Sequence, residues 1–440
     1  MNIILLSGGS GKRLWPLSND VRSKQFIKIF REETQAYQSM IQRIYRQIQS
    51  IDKDAVITIA TAKTQVSAIH NQLGNDVNIS VEPCRRDTFP AIVLATAYLR
   101  DVQGVSEDEA VVVCPVDPYV GDEYFQALMD LKVQAEKEEA RLVLMGIEPT
   151  YPSEKYGYII PEDKNAVSKV GTFKEKPNIE TAERYIAQGA LWNGGVFAYK
   201  IKYVLDKAHD MIDFTDYADL YAKYESLTKI SFDYAVVEKE SDIQVMRYNG
   251  DWKDLGTWNT LTEAMKENCI GNGVLDQECK NVHVINELDI PILCMGLKDV
   301  VVSASPDGIL VSDKEQSSYI KPYVDKFVQD AKFAEKSWGS YTVLDVQEES
   351  MTIKVTLNPH QRMNYHSHEY RDEVWTVTAG TGKVIVDGVE QQVKPGDVIS
   401  MPAGCRHTIF ADSELKVIEV QLGKDIRVED KQKYEMPPEV

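Results

Sequence analysis

The first 26 residues hold the densest group of side chains that could do chemistry, MNIILLSGGSGKRLWPLSNDVRSKQF. An apolar run, Ile3 to Leu6, ends in Ser7-Gly8-Gly9-Ser10-Gly11, then Lys12 and Arg13, with Lys24 further on. Glycines carry no Cβ, so their N–H groups can approach a phosphate closely. Lysine and arginine then neutralise a multiply charged ligand. The bland reading is a glycine-rich turn with solvated cations. A Walker loop is excluded because Arg13 follows Gly11-Lys12 where Ser or Thr is required, and Leu6 stands at the first glycine position. A dinucleotide fingerprint is excluded because Leu14 stands where a third glycine belongs. What remains is a loop suited to a nucleoside triphosphate.

Two aspartates suit a metal-assisted step on such a ligand. Asp117 follows the apolar run Ala110 to Pro115, and Asp254 precedes Leu255-Gly256. Magnesium takes oxygen ligands, commonly one or two carboxylates together with phosphates and water. Each aspartate has a structural alternative: Asp117 could start a turn before Pro118, and Asp254 could cap a helix beginning near Gly256. A second group of metal-ligating types lies near the other end. His366-Ser367-His368 is followed by Glu373, Gly380, Gly396, Pro402, Gly404 and His407. On a strand, His-x-His puts both imidazoles on one face. A carboxylate and a third histidine from neighbouring strands complete a four-ligand site for a divalent ion, with zinc, manganese and iron all compatible.

Elements must hold these residues in place. Strand-like runs at 55–61, 77–81, 110–115 and 142–147 alternate with helix-like segments at 35–48, 64–73, 89–101 and 122–138. This predicts a mostly parallel sheet with helices on both faces, and ligands at the carboxyl ends of its strands. The glycine loop, Glu82-Pro83 and Pro115-Val116-Asp117 all follow strands and so share one rim. From Gly271 to Lys321, short β-branched runs punctuated by Gly, Asn and Asp predict a small β domain of stacked strands. From Trp338 to Val420, strand follows strand with regular turn signals, predicting an antiparallel barrel or sandwich. The expected division is 1–268, 269–322, a linker at 323–337, 338–425, and a polar tail at 426–440.

At 440 residues the chain exceeds one ordinary core. Its 49 basic and 68 acidic residues leave a net charge of −19, which opposes nucleic-acid binding and an anionic membrane surface. An acidic protein with an anionic substrate must gather its cations locally, and residues 12–31 do so. Cysteines 84, 114, 269, 279, 294 and 405 form no Cys-x-x-Cys pair, which reads as reduced thiols in a cytoplasmic protein. Residues 1–6 are too short and uncharged for a signal peptide, and no apolar run approaches the ~20 residues that span a bilayer.

Several ordered motifs over roughly the first 320 residues resemble the sugar-1-phosphate nucleotidyltransferases, specifically the bacterial mannose-1-phosphate guanylyltransferases. The glycine-rich opening with Arg13, Leu14, Pro16 and Leu17 matches the family signature, and Lys24 its second basic position, with Ser23 where the family has proline. Glu82-Pro83, Arg86-Asp87-Thr88 and Pro90-Ala91 are similar to E-P-x-x-R-N-T-x-P-A, Asp87 replacing asparagine. Pro115-Val116-Asp117 is similar to P-x-D-H, with Pro118 in place of the histidine. Tyr156-Gly157-Tyr158-Ile159, Phe173-Lys174-Glu175-Lys176-Pro177, Trp192-Asn193-Gly194-Gly195 and Asp254-Leu255-Gly256-Thr257-Trp258 follow in the family's order. The resemblance implies a Rossmann-like nucleotidyltransferase domain of α/β class, a small domain like a left-handed β-helix, and a C-terminal cupin β-barrel.

It also implies a reaction. Mannose 1-phosphate attacks the α-phosphorus of GTP, with Mg2+, giving GDP-mannose and pyrophosphate. Both reactants are anions, so repulsion must be cancelled and the two aligned. Gly8, Gly9 and Gly11 would hold the triphosphate, Arg86 and Thr88 the nucleotide, and Arg13 and Lys24 the charge on the α-phosphate and leaving group. Asp117 and Asp254 would hold the magnesium. Glu175 can accept from ring hydroxyls and Lys176 can pair with the sugar phosphate; the resemblance adds Tyr156, Gly157 and Asn193. Guanine rests on the resemblance alone.

The histidine group resembles the cupin signature of type II mannose-6-phosphate isomerases, whose motif runs H-x-H-R-x-E-H-W. Here Glu369 and Tyr370 are additional and Val374 replaces the last histidine, while His366, His368, Glu373 and His407 are retained as ligands to a divalent ion such as Zn2+. A bifunctional enzyme is therefore one expectation. The alternatives are a transferase for another base or sugar with a non-catalytic cupin, and a regulator that binds nucleotide sugars. No nucleic acid or membrane partner is expected, and a homo-oligomer is compatible with the reading.

Overall fold

The computed structural model describes residues 1–9, 12–31, 36–327, 330–427 and 430–436. Gly11, expected in the phosphate loop, lies outside them. Contacts divide the chain into two units. One contains Met1–Gly9, Gln25–Val66 and Asp76–Lys266; the other contains residues 12–24, Ser67–Asn75 and the described residues from 267 onward. Along the body of the chain the units divide between Lys266 and Glu267, whereas residues 12–24 and 67–75 group with the second unit.

The first unit is a mixed α/β layer structure. Its strands are β1 (Asn2–Ser7), β2 (Val56–Ala62), β3 (Asn78–Glu82), β4 (Ala110–Pro115), β5 (Pro118–Val120), β6 (Leu142–Ile147), β7 (Gly157–Pro161), β8 (Val167–Lys174), β9 (Leu191–Lys200), β10 (Ile243–Tyr248) and β11 (Trp252–Asp254). Nine of them form one sheet in the order β3-β2-β1-β4-β9-β6-β10-β8-β7. β1, β2, β3 and β4 run parallel, as do β6 and β10, whereas β9 is antiparallel to both β4 and β6. The continuous apolar runs of β1, β4 and β6 are explained by burial on both faces.

The helices here are α1 (Met40–Ile51), α3 (Thr88–Asp101), α4 (Asp122–Glu136), α5 (Ile179–Ala187), α6 (Ile201–His209), α7 (Tyr217–Lys223) and α8 (Trp258–Ala264); α2 (Val66–Leu73) lies almost wholly in the second unit. α3 is apolar nearly all round and correspondingly buried, packed between β1–β3 and the pair α6 and α7. The helix expected over 35–48 begins only at Met40, because Ser39 caps it: its Oγ accepts the Gln42 N–H at 3.3 Å and Gln42 Oε1 accepts the Ser39 N–H at 3.1 Å.

Register sets the parallel strands level with one another. Leu6 stands beside Ala60 and Pro115, and Ala62 beside Glu82. Gly8, Glu82 and Asp117 therefore leave one rim. Past that rim β5 pairs with β11, Pro118 opposite Asp254, so Asp117, the residue before β5, is next in the chain to the partner of Asp254.

The second unit holds two β structures. β12 (Cys269–Ile270), β14 (His283–Asn286) and β16 (Val300–Ser305) stack in parallel, as do β13 (Gly273–Leu275) and β15 (Ile292–Cys294); β17 (Gly308–Asp313) returns antiparallel. This is the expected stack of short coils. The segment 12–24 is fastened to it: Arg22 binds Glu287 through both terminal nitrogens at 2.8 and 2.9 Å, and Asn19 donates to Asp307 at 2.9 Å. The short helix α9 (Lys321–Val324) follows.

The C-terminal part of the second unit has two antiparallel sheets around one apolar core that includes Val355, Trp375, Val384, Ile409 and Val417. One contains β18 (Phe333–Lys336), β19 (Gly339–Val346), β20 (Ser350–Leu357), β22 (Asp372–Ala379), β25 (Val398–Met401) and β27 (Leu415–Leu422). The other contains β21 (His366–His368), β23 (Gly382–Val386), β24 (Val389–Val393), β26 (His407–Ala411) and β28 (Lys431–Lys433). Two expectations need correction. Residues 333–336 of the expected linker are a strand of the first sheet, paired to β19. Residues 431–433 of the expected tail are a strand paired to β21. Both segments are charged and read as solvated, yet strand pairing needs only their backbone.

Candidate functional site

Two cavities open at the rim of the first unit. The larger, of about 430 Å³, is lined by Gly8, Gly9, Gln25, Glu82, Arg85, Asp87, Thr88, Asp117 and Lys229 among others. The smaller, of about 240 Å³, is lined by Asp117, Lys155, Tyr156, Gly157, Glu175, Asn193, Asp233, Trp252 and Asp254 among others. Asp117, Thr88, Leu6 and Pro115 line both. Asp117 therefore stands where two ligands would meet.

The entrance to the glycine loop is held by amides the sequence reading missed. Gln25 Nε2 donates to Ser7 Oγ and to Gln65 Oε1, each at 3.1 Å, and Thr61 Oγ1 donates to Ser7 O at 3.1 Å and to Gln65 Oε1 at 2.9 Å. Gly9 has φ +94°, a left-handed conformation that glycine adopts without strain. The expected nucleotide residues divide. Thr88 lines both cavities, but its hydroxyl accepts the Phe232 N–H at 2.8 Å. The Arg86 guanidinium bonds the Glu225 carbonyl, and it is Arg85 that lines the larger cavity. Asp87 caps α3, its Oδ1 accepting the Thr88 N–H at 2.8 Å, a role that Asn and Asp side chains share. Arg13 and Lys24 lie on 3-10 turns of the second unit. Lys12 pairs with Asp20 at 2.9 Å and Asp325 at 3.6 Å. Lys12 and Arg22, two of the cations gathered at 12–31, are thus paired with carboxylates.

In the smaller cavity four expected residues converge. Gly157 opens β7, Glu175 follows β8, and Asn193 lies on β9 beside Gly157 in register. Gly157 lets Glu175 approach closely: a Cβ there would lie 2.5 Å from Glu175 Oε2, so the carboxylate would have to shift. Lys176 pairs with Glu175 Oε1 at 2.5 Å. Tyr156 packs on Trp192 and Trp252, with ring centroids 4.8 and 5.6 Å away. Burial, then the charge of Asp254, pushes its phenol up, and Asp117 adds to this, so both carboxylates act on one side chain. The N-cap of α8 is Thr257, so Asp254 is not the cap that the alternative required.

Asp233 was missed. It opens a π-turn, Asp233–Val237, and its Oδ1 accepts from Asn193 Nδ2 at 2.6 Å. Burial, reinforced by the charge of Glu175, raises its pKa to about 6. A lone carboxylate inside the apolar run 230–237 was the available signal, since an unpaired charge is not buried idly.

Between the two C-terminal sheets, His366, His368, Glu373 and His407 are each 2% exposed, and their ligand atoms lie within 4.8 Å of one another. β21 and β26 supply the imidazoles, His366 opposite His407, and β22 the carboxylate from the facing sheet. His366 Nδ1–H donates to Asn364 O at 2.6 Å and His407 Nδ1–H to Cys405 O at 3.1 Å, which leaves each Nε2 lone pair for a metal. His407 Nε2 stands 3.2 Å from Glu373 Oε2 and His368 Nε2 3.1 Å from Glu373 Oε1, while His368 Nδ1 is buried without a hydrogen-bond partner. Burial lowers His366 to about 2 and His368 to about 4, so both imidazoles are neutral, the form that ligates. The donor set fits a divalent metal.

Fold and cavities together define a nucleotide-handling α/β transferase joined to a β-barrel with a metal-binding cluster. The chain belongs to the Nucleotidyl transferase family, whose match covers residues 2–269; a Cupin domain match covers residues 353–421. It is 28% identical to a mannose-1-phosphate guanylyltransferase of Escherichia coli (strain K12), over 97% of this chain and 96% of that one. It is 29% identical to the xanthan biosynthesis protein XanB of Xanthomonas campestris pv. campestris (strain B100), over 98% and 97%. Among solved structures it is similar to one described as a mannose-1-phosphate geranyltransferase from Thermus thermophilus, with TM-score 0.62 and 27% identity over 74% of this chain and 98% of that one. Among the described residues no helix is long and apolar enough to cross a membrane.

Proposed function

We propose that the chain transfers a guanylyl group from GTP to mannose 1-phosphate, giving GDP-mannose and pyrophosphate. The observation that carries this reading is Asp117, shared by a cavity with a glycine-loop wall and a cavity with sugar-binding polar groups. Gly8 and Gly9 hold the triphosphate through backbone N–H groups, and Arg13 and Lys24 offset charge on the α-phosphate and leaving group. Glu175, Asn193, Tyr156 and Gly157 orient the sugar, with Lys176 on its phosphate. The sugar-phosphate oxygen then lies in line with the α-phosphorus. Asp117 and Asp254 would hold Mg2+, which supplies charge neutralisation between the two anions. The reaction takes place in the cytoplasm, consistent with the six free cysteines.

Asp117→Ala is expected to abolish magnesium-dependent pyrophosphate release from GTP and mannose 1-phosphate while its circular dichroism matches wild type. Near-normal turnover by this variant would overturn the assignment.

The buried histidine–carboxylate cluster favours a second activity, isomerisation of mannose 6-phosphate, in which His366, His368, Glu373 and His407 hold the metal. Such a metal polarises a sugar carbonyl. Interconversion of mannose 6-phosphate and fructose 6-phosphate, lost on chelation and restored by one divalent ion, is the test; its absence with every ion tried rejects the activity.

A further inference from the structure

Arg13 and Lys24 act on phosphates in the proposed reaction, yet they lie on three-residue 3-10 turns and not on a strand or a long helix. Such turns are short and weakly bonded, so the segment takes its place from what packs on it. Arg22, two residues before Lys24, is where the second unit takes hold. It is 9% exposed, and Nη1 and Nη2 donate to Glu287 Oε2 and Oε1 at 2.8 and 2.9 Å, the two-pronged pairing that fixes a guanidinium in direction as well as position. Its Cζ lies 4.9 Å from the ring centroid of Phe333, the first residue of β18. Asp307 and Glu335 add their charges to that of Glu287 around it. A guanidinium so enclosed by carboxylates is not directed at a phosphate. Its task is to hold the chain.

The backbone of Arg22 is fixed as well. Asn19 Oδ1 accepts the Val21 and Arg22 N–H groups at 2.8 and 2.7 Å, and the Asn19 N–H donates to Arg22 O at 2.9 Å. Asn19 in turn donates to Asp307 Oδ2 at 2.9 Å, and Asp307 Oδ1 accepts the N–H of Lys332, the residue before β18, at 2.6 Å. Ser305 Oγ donates to Pro16 O at 2.9 Å. Glu287 follows β14, and Asp307 lies between β16 and β17. The stack of short coils and the strand that opens the first C-terminal sheet thus grip one turn. Lys24 begins no more than about 7 Å along the chain from Arg22.

We infer that Arg22 is a positioning residue of the transferase: held by Glu287 and Phe333, it sets where Lys24 presents its charge. The inference rests on the role given to Lys24 above. It makes the coil stack and β18 part of what transfer requires, although they carry no reacting group.

The test is a double-mutant cycle on the full chain, with kcat and KM for GTP read from pyrophosphate release and folding read from circular dichroism. Arg22→Met is expected to lower kcat about 10-fold to 100-fold, as for a misplacement of about 1 Å, with KM for GTP within about threefold. Arg22→Lys, which keeps a charged donor but not the fork, is expected to fall between Arg22→Met and wild type. The decisive comparison is with Lys24→Ala. The double variant Arg22→Met/Lys24→Ala is expected to have a kcat within about threefold of Lys24→Ala alone, because Arg22 acts through the side chain already removed. If Arg22→Met does not fold, Glu287→Gln takes its place in the same cycle. Losses that multiply in the double variant overturn the inference, and so does an unchanged kcat in folded Arg22→Met; both leave the role of Lys24 standing. Near-normal kcat in Lys24→Ala overturns that role and this inference with it.

Discussion

At Gly157 a single methyl group would change the shape of the smaller cavity. Its Cβ would meet Glu175 Oε2 at 2.5 Å, Phe173 Cζ at 3.0 Å and Asn193 Cβ at 3.3 Å, so something must move, and the carboxylate is the more mobile. Gly157→Ala is expected to raise KM for mannose 1-phosphate about tenfold, as for 1–3 kcal/mol of overpacking, with KM for GTP within about twofold; steady-state kinetics check both. Single residues were legible in the sequence when their chemistry stood beside a strand end: Asp117, Asp254, Glu175 and Asn193 all line the smaller cavity. Asp233 was not legible, because its partner Asn193 is 40 residues away and its own neighbours spell a buried apolar turn. Arg86 was legible as a cation but not in its partner, a backbone carbonyl more than a hundred residues on.

Elements add their own tests. His283 on β14 is buried, and its Nδ1 accepts from Lys314 Nζ at 2.8 Å, which only a neutral imidazole can do. Burial, then the charge of Lys314, lowers its pKa to about 4. The unfolded chain protonates it near 6.5, so the unfolded state binds the proton first as pH falls. Stability is full above about 6.5 and declines between about 6.5 and 4, with a loss approaching roughly 3 kcal/mol. Urea unfolding at pH 7 and pH 4 is expected to show a smaller difference in His283→Gln than in wild type. β28 makes a second case. Its Lys431 faces His368 in register, Asp430 accepts the Glu369 and Tyr370 N–H groups at 2.8 and 3.2 Å, and the Arg427 carbonyl holds Arg371 at 2.9 Å. A chain ending at Leu422 is expected to lose at least tenfold in affinity for a divalent ion at the histidine cluster, as when the supports of ligands are removed, with zinc titration as the readout. Neither strand outside the expected barrel was legible, because pairing of polar edge segments depends on backbone geometry that side-chain periodicity does not encode.

The whole molecule joins a nucleotidyl transferase domain and a cupin in one acidic chain of net charge −19. The sheet order was legible only in outline: alternating strands and helices gave the parallel half, but β9, antiparallel between β4 and β6, is set by tertiary pairing. The aspartate pair and the histidine cluster fall in different units. His366→Ala is therefore expected to remove bound metal from the cupin, measured by elemental analysis, while guanylyl transfer stays within about twofold, the spread expected of sites that share no partner.

One stretch, 224–233, has an errand at each end. Tyr224 steadies Glu82 in the larger cavity, and Asp233 grips Asn193 in the smaller. Midway, the Phe232 N–H is tethered to Thr88, which borders both. The two cavities therefore share a partition, and a ligand that shifts one end of it is expected to alter the seat offered in the other. Order of addition in the kinetics becomes a direct report on how stiff that partition is.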